Sequence, residues 1–388
     1  MKKRLSQEKG SMAVYVIVVL LSMLFILSAV FLISNTVRRN QVETAIKVKE
    51  SYEADNARAA EIYGAVTGTS TGPTTVAEAI ANEYKFTNTT PITDALNNTI
   101  YVPGGFHLDK ESNTDEDGNA ITVEDGIVIE DDDLNQFVWI PTGTYQTSSG
   151  AKTNELTRRQ LESANSNTEP TSVSGDSVID SYYYGEGATQ DSSGNPITPV
   201  STNIEAFKTS ATSNGGFYIG RYEAGTETER TSSSDALTTP LVQANKEAYV
   251  YVTRDQAKEQ AEAMYAESSY VTSELISSYA WDTALNFICQ NGEHGYQLAT
   301  TTSPDRANIG TNNKTPTGGY ATDCYSNIYD FLGNCWEWTT EYSSDSSSPY
   351  VLRGGGYLNN SNYAALRNRT STSSSLTNLS FRLQLYVK

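Results

Sequence analysis

The sequence predicts an α+β fold: an irregular domain of short strands and few helices, carried on a long N-terminal membrane-and-stalk helix. Three observations predict it. Met12 to Ile33 contains no charged residue and is long enough to cross a bilayer as a helix. The segment after it repeats apolar residues at helical spacing. From Ala65 onward, short β-branched runs broken by turn residues dominate, with two helix-spaced stretches among them.

In chain order, residues 1–11 form a basic leader, MKKRLSQEKGS, and residues 12–33 the transmembrane helix. A charge at the centre of that helix would cost roughly 3 kcal/mol, whereas each Leu, Ile, Val or Phe gains about half a kcal/mol, so insertion into the lipid bilayer is favoured. The apolar run exceeds that of a cleaved signal, and no A-x-A site follows it. Lys2, Lys3, Arg4 and Lys9 face Arg38, Arg39, Lys47 and Lys49 across the span. Orientation therefore rests on the short basic tail staying inside while the acidic remainder is exported to the cell surface. Residues 34–64 read as an amphipathic stalk helix, with Val42, Ala45, Ile46, Lys49, Tyr52, Ala59, Ile62 and Tyr63 at helical spacing and Gly64 as its stop. A leader ending in Lys9-Gly10-Ser11 before such a helix resembles a type IV pilin, with one departure. Pilins carry a glutamate at the fifth mature position, and here that position is Tyr15. A plain single-pass anchor with a helical stalk is the alternative.

The chain of 388 residues carries a formal net charge of −19, from 27 basic and 46 acidic residues. Such a surface repels a phosphate backbone, which excludes nucleic acid as a partner. Cys289, Cys324 and Cys335 lack CxxC spacing, so at most one disulfide is available. Residues 65–136 read as a polar, short-strand linker or small β region, containing TIYVP and GIVIEDDD. The Asp131–Asp133 run within it reads as a solvated acidic turn, with cation binding as the alternative. Residues 137–388 form the main domain, with a polar insertion near 146–177 read as an inserted loop or a mobile segment. Within it, Thr253 and Gln256 have capping-box spacing ahead of an apolar face of Ala257, Ala261, Met264 and Tyr265. A second helix is read over Ser273–Gln290, with Leu275, Tyr279, Ala280, Leu285 and Ile288 toward the core. Trp336 and Trp338 share one parity on an extended chain and read as core residues, with Glu337 on the other face.

Six pieces fall in a fixed order: FVWIPTGTY (Phe137–Tyr145), GGFYIGRYEAG (Gly215–Gly225), VTRDQAKEQAEAMYAE (Val252–Glu267), NIYDFLGNCWEW (Asn327–Trp338), VLRGGGY (Val351–Tyr357) and LSFRLQLYV (Leu379–Val387). This ordered set resembles the formylglycine-generating-enzyme-like, or sulfatase-modifying-factor, family, and the resemblance implies a variant of the C-type lectin fold. In the enzymes of that family a cysteine pair beyond the R-G-G-S motif holds copper. Carried onto this chain, those positions are Asn359 and Ala364, and neither supplies a thiolate. Iron-using relatives need a histidine cluster, and this chain has only His107 and His294. No GxSxG, HExxH or phosphate-cradling loop occurs. The sequence therefore predicts a non-catalytic protein without copper or iron.

The resemblance also implies a structural calcium, held by the side chains of Asp330 and Glu337 and the carbonyls of Gly333 and Cys335. The alternative is that Glu337 pairs with Arg353 or caps a backbone donor. Between Arg353 and SFRLQLYV lies a stretch rich in Asn, Ser, Thr and Tyr, the residue types of an adaptable binding surface. Tyr357, Asn359, Asn360, Asn362, Tyr363, Arg367 and Asn368 are its candidate ligand contacts. Diversity-generating retroelements place their variable segment at this end of the same fold, and Tyr357–Ser380 lacks the Lys, Glu, Gln, Met and Trp that their adenine mutagenesis does not produce. The expected function is a membrane-anchored, surface-exposed binding protein for a protein or glycan ligand. The alternative is a minor pilin or pseudopilin that assembles with pilus subunits.

Overall fold

The computed structural model describes residues 72–160, 170–179, 182–188, 203–300, 307–320, 322–358, 363–371 and 374–388. The predicted leader, membrane helix and stalk lie outside these residues. Among the described residues no helix is long and apolar enough to cross a membrane.

Gly72–Lys388 is one compact unit. Its main sheet is antiparallel and six-stranded, in the order Val271–Leu275, Leu383–Val387, Gly216–Gly220, Gln136–Pro141, Val128–Glu130, His107–Leu108. This sheet crosses the boundary read at residue 136, because Val128–Glu130 pairs directly with Gln136–Pro141. Val76, Phe86, Ile100 and Val123 of the preceding region are buried in the same apolar core as Trp139 and Leu385. The Asp131 turn forms as its sequence suggests: Asp131 Oδ1 accepts from the amides of Asp133 (3.0 Å) and Asn135 (2.8 Å), while Asp132 and Asp133 stay exposed.

A second sheet runs Tyr183–Tyr184, Trp336–Ser343, Tyr350–Arg353, Arg367–Thr370, and Leu379–Phe381 adds to Trp336–Trp338 in parallel. The chain thus passes from the second sheet into the first across one residue, Arg382. Because the Trp336–Ser343 strand has neighbours on both edges and packing on both faces, Trp336, Glu337 and Trp338 are all buried. Trp338 Nε1 donates to Val252 O at 3.0 Å, which fixes the ring inside the core.

The Arg254–Met264 helix starts as read. Thr253 Oγ1 accepts from Gln256 N (3.3 Å) while Gln256 Oε1 accepts from Thr253 N (3.0 Å), and Ala257 and Ala261 are fully buried. The second helix begins later than the sequence suggests. Ser277 caps it through Ala280 N (3.2 Å) and it spans Ser278–Asn291, while Ser273–Leu275 belongs to a strand paired with Leu383–Val387. Pairing with Leu383–Val387 satisfies the ladder groups on one edge of this outer strand, and a short apolar run does not by itself distinguish strand from helix. All five residues read as core-facing are buried.

The polar insertion is not a plain loop. Gly143–Thr147 and Gly150–Asn154 form a hairpin, and Arg158–Arg159 pairs with Ser172–Val173. Arg158 and Arg159 are buried, so this segment is held by charge as well as by backbone pairing.

Candidate ligand-binding site

The Arg353-Gly-Gly-Gly turn sits on a ring stack. Trp281 and Phe331 lie 4.1 Å apart at 20°, and the Arg353 guanidinium lies 5.4 Å from the Trp281 ring. Gly354 has φ +87, and a Cβ there would meet Trp281 at 3.3 Å, so this position takes glycine for both conformation and space. Its carbonyl accepts from Gly333 N at 2.9 Å, which ties the turn to the segment before Trp336.

Behind the turn is a fully buried ionic lattice. Asp282 accepts from Arg353 Nη2 (2.8 Å), Arg367 Nη2 (2.6 Å) and Arg159 N (2.9 Å). Glu341 accepts from Arg158 Nη2 (2.7 Å) and Arg367 Nε (2.9 Å), with Arg353 Nη1 at 3.5 Å. Burial pushes both carboxyls up, but the surrounding guanidiniums outweigh it and hold both below the usual carboxylate range. Arg367 is therefore not a ligand contact. On the Arg367–Thr370 strand its parity points inward, and Asn368, the next residue, is exposed.

Tyr357 is likewise corrected. It is 6% exposed, packs with Val250 and Cys335, and its hydroxyl lies 3.4 Å from Thr377 Oγ1. Tyr363 is half-buried against the main core. Asn359, Asn360 and Asn362 lie outside the described residues. What the structure does place at the surface are Leu358, 44% exposed, and Leu376, 54% exposed, at the two ends of the segment. The Tyr357–Thr377 contact brings those ends together, and Leu376 O accepts from Tyr251 N (3.1 Å).

The residues implied for calcium share a buried region, with one change of role. Glu337 faces Arg382, not Arg353: Arg382 Nη2 donates to Oε1 at 2.7 Å, and Nε lies 3.1 Å from each oxygen. Asp330 (φ 54) accepts from Gly318 N at 2.6 Å through Oδ2, and its Oδ1 has no partner. Gly333 has φ +91, with Asn308 O only 2.6 Å from where a Cβ would stand. Two carboxylates absent from the implied set lie in the same charge cluster. Glu223 Oε2 and both oxygens of Asp323 are buried without a partner. Burial raises the Asp330 carboxyl to about 6 and, against the opposing Arg382, the Glu337 carboxyl to about 7. Burial and the Asp330 charge push Glu223 and Asp323 well above the usual range. Unpartnered carboxylate oxygens are the donor chemistry a hard cation takes, so Asp330 fits a calcium, whereas Glu337 is already neutralised. Among the described residues no group of three or more His, Cys, Asp and Glu side chains converges as a metal site.

The three cysteines are free, and Cys335 alone borders the glycine turn, through its packing with Tyr357. Cys289 is buried in the Ser278–Asn291 helix, Cys324 is half-buried in a short hairpin, and Cys335 is buried before Trp336.

Sequence reasoning missed Arg158, Asp282 and Glu341. A single aspartate, the one charged residue in SYAWDTALNFIC, was a signal for a buried counter-ion, and Glu341 shares the parity of Glu337. Arg158 sits in a polar tract that gave none.

Two mainly antiparallel sheets joined at Arg382, few helices, and a buried Arg-Gly-Gly turn define a mixed-sheet domain of the formylglycine-generating-enzyme-like class. The chain belongs to the sulfatase-modifying factor enzyme 1-like domain family, which it matches over residues 128–385. No curated protein matches it. Among solved structures it is similar to PvdO from Pseudomonas aeruginosa, at 14% identity over 67% of this chain and 97% of that one, with a TM-score of 0.35. It is also similar to Treponema denticola variable protein 1, at 12% identity over 64% and 95% of the two chains, with a TM-score of 0.32. A third is the Major Tropism Determinant U1 variant, at 12% identity over 81% and 98%, with a TM-score of 0.27.

Proposed function

We propose that this protein is a membrane-anchored, outward-facing and non-catalytic receptor, whose ligand face is the segment between the glycine turn and the Leu379–Phe381 strand. The carrying observation is a sharp change of exposure. Arg353 to Tyr357 and Leu379 to Val387 are buried, while Leu358, Asn368 and Leu376 between them are exposed. Polar side chains of an adaptable type beside two exposed leucines suit a ligand with a mixed apolar and hydrogen-bonding surface. The absence of a thiolate at Asn359 and Ala364 supports the non-catalytic reading. Residues 12–33 supply the anchor.

Replacement of Asn359, Asn360, Asn362 and Asn368 by alanine is expected to abolish capture on protein and glycan arrays, with the melting temperature within about 2 °C of the parent. Array binding unchanged in that variant would overturn the assignment of the face. If a retroelement diversifies this segment, substitutions among isolates concentrate at these asparagines and the Ser-Thr run. They spare Tyr357 and Arg367, whose side chains are packed.

Calcium belongs to the same proposal, bound through Asp330 and the carbonyls of Gly333 and Cys335. Calcium at one hundred times its dissociation constant is expected to stabilise the domain by about 2.7 kcal/mol, read as a rise in melting temperature that Asp330→Asn removes. A flat titration in the parent would dismiss the cation.

A further inference from the structure

A cleft of about 1170 Å³ opens on the domain without any contribution from residues beyond Tyr329, so it is separate from the ligand face. Its walls are the loop after His107–Leu108, the residues following the Ser278–Asn291 helix, and the Cys324–Tyr329 hairpin. Its size matches or exceeds that of small-ligand sites, about 300–1,000 Å³.

The lining selects by chemistry. The aliphatic lining is small, namely Ile121, Leu134 and Ala244, so a lipid chain finds little to cover. Its cations are already engaged. Arg221 donates to Gln136 Oε1 (2.8 Å), Ser112 Oγ, Asn327 O (3.2 Å) and Asn327 Oδ1 (3.1 Å). Lys246 Nζ pairs with Glu227 at 2.6 Å. Phosphate, sulfate or uronate groups therefore gain no free positive partner and meet Asp109, Glu111, Glu130 and Glu293 instead.

Those carboxylates keep acceptor capacity. Glu130 accepts from Gln136 Nε2 (2.7 Å) and Asp109 from Ser112 N (3.0 Å), each with lone pairs remaining, while Glu111 and Glu293 are exposed. Asn245 adds amide groups and Gln243 its amide oxygen, whereas the Asn291 amide is taken up by Tyr145, Phe287 and Lys152. Beside them Tyr329 stacks on the buried Tyr222 at 5.1 Å and 25°, so the ring surface facing the cleft comes from the half-buried Tyr329 and Tyr325. Aromatic rings next to dense, planar hydrogen-bonding groups suit a ligand that is rich in hydroxyl donors and has C–H faces. We propose that this cleft is a second binding site, which takes a short neutral oligosaccharide.

The test titrates the full chain with tetrasaccharides ending in glucose, galactose, mannose or N-acetylglucosamine, beside tetragalacturonate and a glucosamine tetramer, with tyrosine fluorescence and calorimetry as readouts. At least one neutral tetrasaccharide is expected to bind and tetragalacturonate not to bind. Tyr329→Ala should weaken that binding by about tenfold or more. Glu293→Ala, on an exposed side chain, should weaken it without change in melting temperature, which covers the case that Tyr329→Ala fails to fold. Binding of the glucosamine tetramer alone would mean charge attraction to an acidic protein and overturn the proposal. So would no neutral binder, or a neutral binder indifferent to both substitutions.

Discussion

Asp282→Ala is expected to destabilise the domain by about 3–5 kcal/mol, because it removes one member of a buried ionic lattice and leaves its partners charged. Asp282 is 0% exposed and accepts from Arg353, Arg367 and the amide of Arg159. Without it, Arg353 and Arg367 share Glu341 with Arg158, so three guanidiniums surround one carboxylate away from water. The loss is comparable with much of a typical domain stability of about 5–15 kcal/mol. Chemical denaturation of parent and variant measures it directly. Asp282→Asn keeps acceptor capacity and loses the charge, so its loss should be smaller than that of alanine. Equal midpoints for parent and Asp282→Ala would show that the lattice does not hold the insertion and the glycine turn together.

The lattice also explains what the sequence could and could not reveal. Strand and helix cores follow local periodicity, so Ala257, Ala261, Leu285 and Trp338 were legible as buried residues. The capping box at Thr253 was legible because both of its bonds lie within one turn. Arg367 was misread since composition alone cannot separate an inward from an outward residue. It stands between Leu366 and Asn368 in a stretch rich in Asn, Ser and Thr, and only pairing with Tyr350–Arg353 sets the register that turns it toward Asp282. Arg158 and Glu341 are 183 positions apart, and no local pattern encodes such a contact. The same reason hid the cleft, whose walls come from loops distant in sequence. The absence of the cysteine pair, by contrast, was fully legible, because it concerns residue identity and not geometry.

Arg382→Met is expected to be as damaging as Asp282→Ala, and its dependence on a second substitution carries the information. Arg382 is fully buried between the Leu379–Phe381 and Leu383–Val387 strands, one from each sheet. Besides Glu337 it reaches Gly220 O and Tyr329 O, each at 2.8 Å, and its guanidinium lies 5.3 Å from the Phe331 ring. Its positive charge also opposes the upward push of burial on the Asp330, Asp323 and Glu223 carboxyls. Methionine fills similar volume but leaves Glu337 buried and unpaired, which costs about 3–5 kcal/mol. Removing both charges is milder than removing one, since an apolar pair leaves no stranded ion. Arg382→Met with Glu337→Leu should therefore recover most of the loss, a coupling that a double-mutant cycle of denaturation midpoints reads out. Purely additive losses would mean that Arg382 acts through its two carbonyl bonds alone. The cycle repeated with calcium separates the remaining cases. A cation bound at Asp330 would offset part of the Arg382→Met loss, because it supplies positive charge to the same carboxylates, and it should do so less once Asp330→Asn has removed its ligand.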